Sequence, residues 1–149
     1  MRPGKRRESG VTLMEPMVVV AIVGILAAIA YPAYTQFVMQ TNRSDATKTM
    51  ALAAQAMERC YSVNFTYVGC TVQGTPMFDA STMPTPNGWY TITFAIPDAQ
   101  DYTLTGTAVA APQTGDTPCF TFTLSSTGQQ FASDNTGVPN NTQLCWGSN

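Results

Sequence analysis

Two sets of residues in this chain have the types and spacing to do chemistry. The first is a lone carboxylate. Glu15 stands at the head of an apolar run, and from Pro16 to Asn42 the sequence carries no charge at all. An ionisable group at membrane depth costs on the order of 2.5–3.5 kcal/mol, so such a carboxylate marks a functional site until another role is found for it. The second set is four cysteines, Cys60, Cys70, Cys119 and Cys145, whose natural chemistry is oxidative cross-linking. Four cysteines allow three pairings; the spacings favour Cys60–Cys70 and Cys119–Cys145. A shared metal site would want close C-x-x-C pairs, which the sequence lacks.

Other chemistry is thinly supplied. With no histidine, the commonest general base and metal ligand is missing. Asp79, Asp98, Asp101, Asp116 and Asp134 fall among turn signals and read as solvated turn residues, not as a paired acid site or a calcium cage. There is no phosphate-cradling glycine loop and no nucleophile elbow. Trp89, Tyr90 and Tyr102 have faces for stacking on bases, yet without basic neighbours they read as strand packing. The sequence therefore gives no catalytic residue, no metal ligand set and no cofactor, and the expectation is a protein that is not an enzyme.

The elements that must position Glu15 and the cysteines emerge from periodicity. Met17 to Tyr34 is apolar apart from its glycine and proline, long enough to span a bilayer. One helix is expected from about Thr12 to Tyr61, interrupted or bent at Pro32; at 1.5 Å per residue it would be roughly 75 Å long. Gly24 and Pro32 bracket its weakest stretch, because both residues lower helical stability in an interior. Beyond Pro32, Ala46, Met50, Ala53, Met57 and Cys60 recur at helical spacing, widened by Ala54 and Tyr61, while Asp45, Lys48, Glu58 and Arg59 fall off the stripe. That face should lie against a sheet.

Residues 62–88 read as loop, punctuated by glycine, proline and asparagine. Strands are expected at Trp89–Ile96, Tyr102–Val109 and Cys119–Leu124, with a short segment at Gln129–Ala132. Ser133–Asn149 reads as a polar loop closed by Cys145-Trp146. The fold class is α+β, a long helix laid on an antiparallel sheet of about four strands.

The formal net charge of −2 conceals an asymmetry. The first ten residues carry Arg2, Lys5, Arg6 and Arg7 against Glu8, whereas the remainder sets Arg43, Lys48 and Arg59 against eight acids. A basic flank before the span keeps the N-terminus cytoplasmic and sends the C-terminal portion across the membrane. An acidic head is a poor generic surface for nucleic acid. An ordinary secretory signal competes with this reading: a basic start, an apolar core, and Ala28-Ile29-Ala30 as a small-residue cleavage site. Glu15 and Pro16 interrupt that pattern, which would give a mature chain starting at Tyr31.

The stretch from Gly10 through Val11-Thr12-Leu13-Met14-Glu15, continuing to Gly24-Ile25-Leu26-Ala27-Ala28-Ile29-Ala30 and Pro32, resembles the N-terminus of type IV pilins, their minor pilins and their pseudopilin relatives. Two positions depart from the usual pattern: Val11 replaces a Phe or Met, and Pro16 a Leu. The resemblance implies cleavage after Gly10 by a prepilin peptidase, N-methylation of Val11, residence in the inner membrane as a single-pass protein with a periplasmic head, and assembly into an extracellular filament. Residues 1–10 would be the leader, 11–34 the transmembrane and filament-core half of the helix, and 35–149 the amphipathic half plus the globular head. Glu15 would neutralise the amine of Val11 on a neighbouring subunit, and the Gly24–Pro32 segment would lend the helix flexibility. Cys119 with Cys145-Trp146, and Glu58-Arg59 leading into Tyr61, resemble PilE-like minor pilins.

The implied role is a minor structural subunit of a type IVa pilus serving twitching motility, adhesion or DNA uptake. Its partners would be other pilin subunits, the inner-membrane assembly machinery and the peptidase. A type II secretion pseudopilin and a DNA-binding competence pilin remain alternatives. The second would need a basic strip on the head, for which only Arg43, Lys48 and Arg59 are available.

Overall fold

A computed structural model describes residues 13–140 and 142–147. Its elements are helix α1 (Met14–Asn64), strands β1 (Thr71–Val72), β2 (Thr75–Pro76), β3 (Thr82–Pro84), β4 (Tyr90–Ala95), β5 (Thr103–Ala108), β6 (Thr121–Ser125), β7 (Gln130–Ser133) and β8 (Pro139–Asn140), and helix α2 (Thr142–Trp146). The chain divides into two units between Gln36 and Phe37.

Helix α1 continues through Pro32 without a break, and it runs three residues beyond the expected end at Tyr61. It stops at Asn64 because Phe65 turns left-handed (φ 55°) and returns its N–H to the Tyr61 carbonyl at 2.8 Å. This is the helix-ending turn that glycine usually supplies, here made by a bulky residue.

In the second unit, β3 to β8 form one antiparallel sheet in sequence order, and β1 pairs with β2 separately. The sheet has six strands where about four are expected. The additional pair, β3 and β8, are three and two residues long and both contain proline. They are too short to show a period, and proline suits them to the sheet edges they occupy. The segment expected as a polar tail likewise holds β8 and α2. Long-range attachments fix α2: the Cys119–Cys145 disulfide, and the Trp146 indole N–H donating to the Phe131 carbonyl at 2.9 Å.

The core lies between the sheet and the buried stripe Ala46, Thr49, Met50, Ala53 and Met57 of α1. Tyr90, Ile92, Phe94, Leu104 and Phe122 meet it fully buried. Each large apolar side chain so enclosed contributes roughly 1.5–3 kcal/mol relative to exposure. Small residues let helix and sheet approach: a Cβ on Gly106 would stand 3.0 Å from Ile92 Cδ1 and 3.1 Å from Met50 Sδ. On the opposite face, Thr91, Thr93, Thr105, Thr107, Thr121 and Thr123 pair across β4, β5 and β6, β-branched residues on a half-exposed pleat.

Candidate functional site

The first unit is defined by what it leaves uncovered. Every large apolar side chain from Leu13 to Tyr34 is more than half exposed, Leu13 at 87% and Ile29 at 69%. The helix there is long and apolar enough to cross a membrane. Glu15 sits exposed in the first turn, next to Pro16, whose missing N–H falls among the four that a helix start leaves unpaired anyway. A carboxylate in a first turn also faces the positive end of the helix dipole. A Cβ added at Gly24 would meet no side chain within 4 Å, and around Pro32 the Thr35 hydroxyl donates to the Pro32 carbonyl at 2.9 Å. The leader with Gly10, and Val11 after it, lie outside the described residues.

The second unit uses its chemistry to hold itself together. One disulfide joins Cys60 to Cys70 and staples α1 to the loop after it; the other joins Cys119 to Cys145. Each closed loop contributes roughly 3 kcal/mol in the chain-entropy view, a large share for a head this small. Asp116, expected as a solvated turn residue, is instead 2% exposed and pairs with Arg43 through a two-toothed contact, Nε to Oδ2 at 2.7 Å and Nη2 to Oδ1 at 2.8 Å. The carboxylate raises the Arg43 pKa above its ordinary value against the opposing effect of burial. Beside it the buried Gln113 amide donates to the Tyr90 hydroxyl at 2.7 Å and the Met39 carbonyl at 3.2 Å. No local signal announces this cluster, since 73 residues separate the two charges.

At the other end of the head, Glu58 accepts from the Tyr67 hydroxyl at 3.0 and 3.1 Å and from the Tyr102 hydroxyl at 3.0 Å. Burial first, then the bond to Glu58, push the Tyr67 pKa up to about 12 and that of Tyr102 further still. The remaining aspartates organise turns. Asp79 accepts from Ile96 N–H, Asp98 from Gln100 and Asp101 N–H, and Asp134 from Thr136 and Val138 N–H. No group of three or more metal-binding side chains is gathered among the described residues.

The basic inventory shrinks accordingly. With Arg43 committed to Asp116, the exposed cations of the described head are Lys48 and Arg59, both on α1. Eleven residues apart, they share one helix azimuth together with exposed Leu52. The sequence could not reveal that the third cation is internal.

Against known proteins, residues 32–123 match the family described as the type IV minor pilin ComP, DNA uptake sequence receptor, and residues 5–31 match the prokaryotic N-terminal methylation motif. Among similar curated proteins is a fimbrial protein, EcpC, of Eikenella corrodens, 43% identical over 58 residues covering 39% of this chain and 38% of that one. A type IV major fimbrial protein, FimA, of Dichelobacter nodosus is 38% identical over 78 residues, 52% of this chain and 44% of that one. A fimbrial protein of Moraxella nonliquefaciens is 51% identical over 39 residues, 26% of this chain and 25% of that one. The chain thus spans less than half the length of these relatives.

Proposed function

This chain belongs to the type IV pilin family, and from that premise we propose that it is a minor structural subunit of a type IVa pilus. It is made with a ten-residue leader that a prepilin peptidase removes after Gly10, and the new amine on Val11 is methylated. It waits in the inner membrane with its head in the periplasm. The assembly machinery then draws it into a filament, where residues 11–34 join a bundle of neighbouring helices.

The observation that carries this reading is the contrast at the N-terminus: a helix whose large apolar side chains stand uncovered from Leu13 to Tyr34, and one carboxylate at its head. Bare apolar surface on this scale must be met by lipid or by other helices. As a subunit leaves the membrane, its Val11 amine and the Glu15 of a neighbour are each costly alone in hydrocarbon and favourable together, which selects one register. Gly24 and Pro32 make the intervening helix the segment most easily unwound under load. Shear-fraction mass spectrometry tests the reading. The protein should be recovered from sheared filaments; recovery only with the cell envelope would turn the assignment towards a secretion pseudopilin.

A second reading, a part in DNA uptake, is favoured by the description of the matched family. On this head it would have to rest on Lys48 and Arg59, with the exposed acid Glu58 next to Arg59 in the chain. Replacing both cations should then reduce DNA uptake while leaving filaments in normal amount; unchanged uptake would remove that role.

A further inference from the structure

Helix α1 changes from bare to enclosed through a weak stretch. None of its residues before Ala46 is buried. Between Pro32 and Thr41 the hydrogen-bond ladder is also loosened from within. Pro32 lacks the N–H that would bond the Ala28 carbonyl. The Thr35 and Thr41 hydroxyls donate to the Pro32 and Phe37 carbonyls, each at 2.9 Å, a back-bonding that slightly destabilises and bends a helix. An opening that starts at the proline therefore meets no fully buried side chain until Ala46.

Ahead of Ala46, one loop of the head takes hold of the helix by polar contacts. Gln113 Nε2 donates to the Met39 carbonyl at 3.2 Å, and one turn on Asp116 grips the Arg43 guanidinium at 2.7 and 2.8 Å. The guanidinium also donates to the Leu144 carbonyl at 3.4 Å, and the exposed Asn87 amide adds a bond to Asp45 at 3.0 Å. The loop is stiff. It is folded into short 3-10 turns at Gln113–Gly115 and Thr117–Cys119, with the Asp116 N–H on the Gln113 carbonyl and the Cys119 N–H on the Asp116 carbonyl. The Cys119–Cys145 disulfide ties down its end. Gln113 is fully buried, and its Oε1 has no hydrogen-bond partner among the described residues. A side chain of that shape without polar atoms would leave no such orphan, so what the amide contributes is its two bonds, to Met39 and to Tyr90.

We infer that this loop is a stop for helix opening. The Met39 carbonyl is the acceptor for the Arg43 N–H in the helical ladder, so the loop fastens both ends of one turn. Four residue steps span about 6 Å in a helix and about 13 Å when extended. Gln113 and Asp116, fixed in one tight turn, cannot follow that lengthening and keep both contacts. Unwinding that begins between Gly24 and Pro32 is arrested at residues 39–43, and the sheet keeps its stripe while the anchor lengthens. This rests on the pilin reading for the source of the load, and adds to it the residues that bound the extensible segment.

Hydrogen exchange, read by peptide mass spectrometry on the full-length, disulfide-intact protein in membranes, tests the stop. Amides of residues 36–38 should exchange quickly and those from Arg43 onward slowly. Tyr90→Phe is the parent for comparison, because it removes the hydroxyl that Gln113→Met would leave without its donor. Adding Gln113→Met should speed exchange at residues 40–45 roughly five- to tenfold, the worth of about one hydrogen bond, and leave residues 46–57 unchanged. Arg43→Met with Asp116→Leu, which strands no charge, should do the same. Unchanged exchange at residues 40–45 in both variants would overturn the stop. So would a rise spread equally over residues 46–57, the mark of a head merely destabilised. The exchange profile stands apart from the filament question. A protein missing from sheared filaments would remove the pilin reading, whereas a flat profile in a protein recovered from them would remove only the stop.

Discussion

Helix α1 lives under two regimes. Between Met14 and Tyr34 its large apolar side chains are all more than half exposed, whereas between Ala46 and Met57 a stripe of five residues is buried beneath its own sheet. Both stretches are α-helical. The second region is stable because Tyr90, Phe94, Leu104 and Phe122 pack on it, with two disulfides and one buried ion pair closing the surrounding loops. The first has no such support and must take its partners from outside the chain. Substitutions should therefore separate cleanly: in the first region they change assembly and leave the fold, and in the second they change the fold.

The largest separation is expected at Glu15. Glu15→Ala should cut the protein's content in sheared filaments roughly tenfold or more, as an unanswered charge in hydrocarbon costs on the order of 2.5–3.5 kcal/mol. Head stability in denaturant should not change. Filaments in normal amount would remove the proposed role of the carboxylate.

Asp116→Asn should do the opposite. It strands the Arg43 guanidinium, 12% exposed, without its counter-charge, which costs about 3–5 kcal/mol and should show as a lower urea midpoint with both disulfides intact. Membrane insertion should be untouched.

Gly106→Ala probes the closest approach of helix and sheet. Its Cβ would stand 3.0 Å from Ile92 and 3.1 Å from Met50, and overpacking of this kind costs about 1–3 kcal/mol. A neutral result would mean that the Met50 thioether yields freely.

The smallest effect is at alkaline pH. Tyr67 and Tyr90 are pushed up to about 12 from an ordinary 10.0, mainly by burial. A raised folded-state pKa means that the protonated phenol favours the fold, so this stability is fully present below pH 10 and is lost as pH climbs from there towards 12. Ultraviolet titration of tyrosinate should show these groups ionising late and together with unfolding.

The anchor was more legible in the sequence than the head. A charge-free run with one carboxylate and fixed glycine and proline positions is a local pattern, and so is the alternation that marks β4, β5 and β6. The stripe from Ala46 to Met57 is likewise written at helical spacing. What stayed hidden was set by distance or brevity. Strands β3 and β8 are edges of three and two residues paired to β4 and β7, and α2 is held by Cys145 and Trp146 more than by its own five residues. Asp116 looked like one more turn aspartate because its partner is 73 residues away. For the same reason Arg43 looked available to a ligand.

On the proposed reading, removal of residues 1–10 leaves a methylated amine on Val11 able to meet Glu15. Intact-mass and N-terminal analysis of the protein isolated from membranes tests it directly. The predicted result is a chain starting at N-methylated Val11. A chain starting at Tyr31, with the apolar helix cut away, would contradict it.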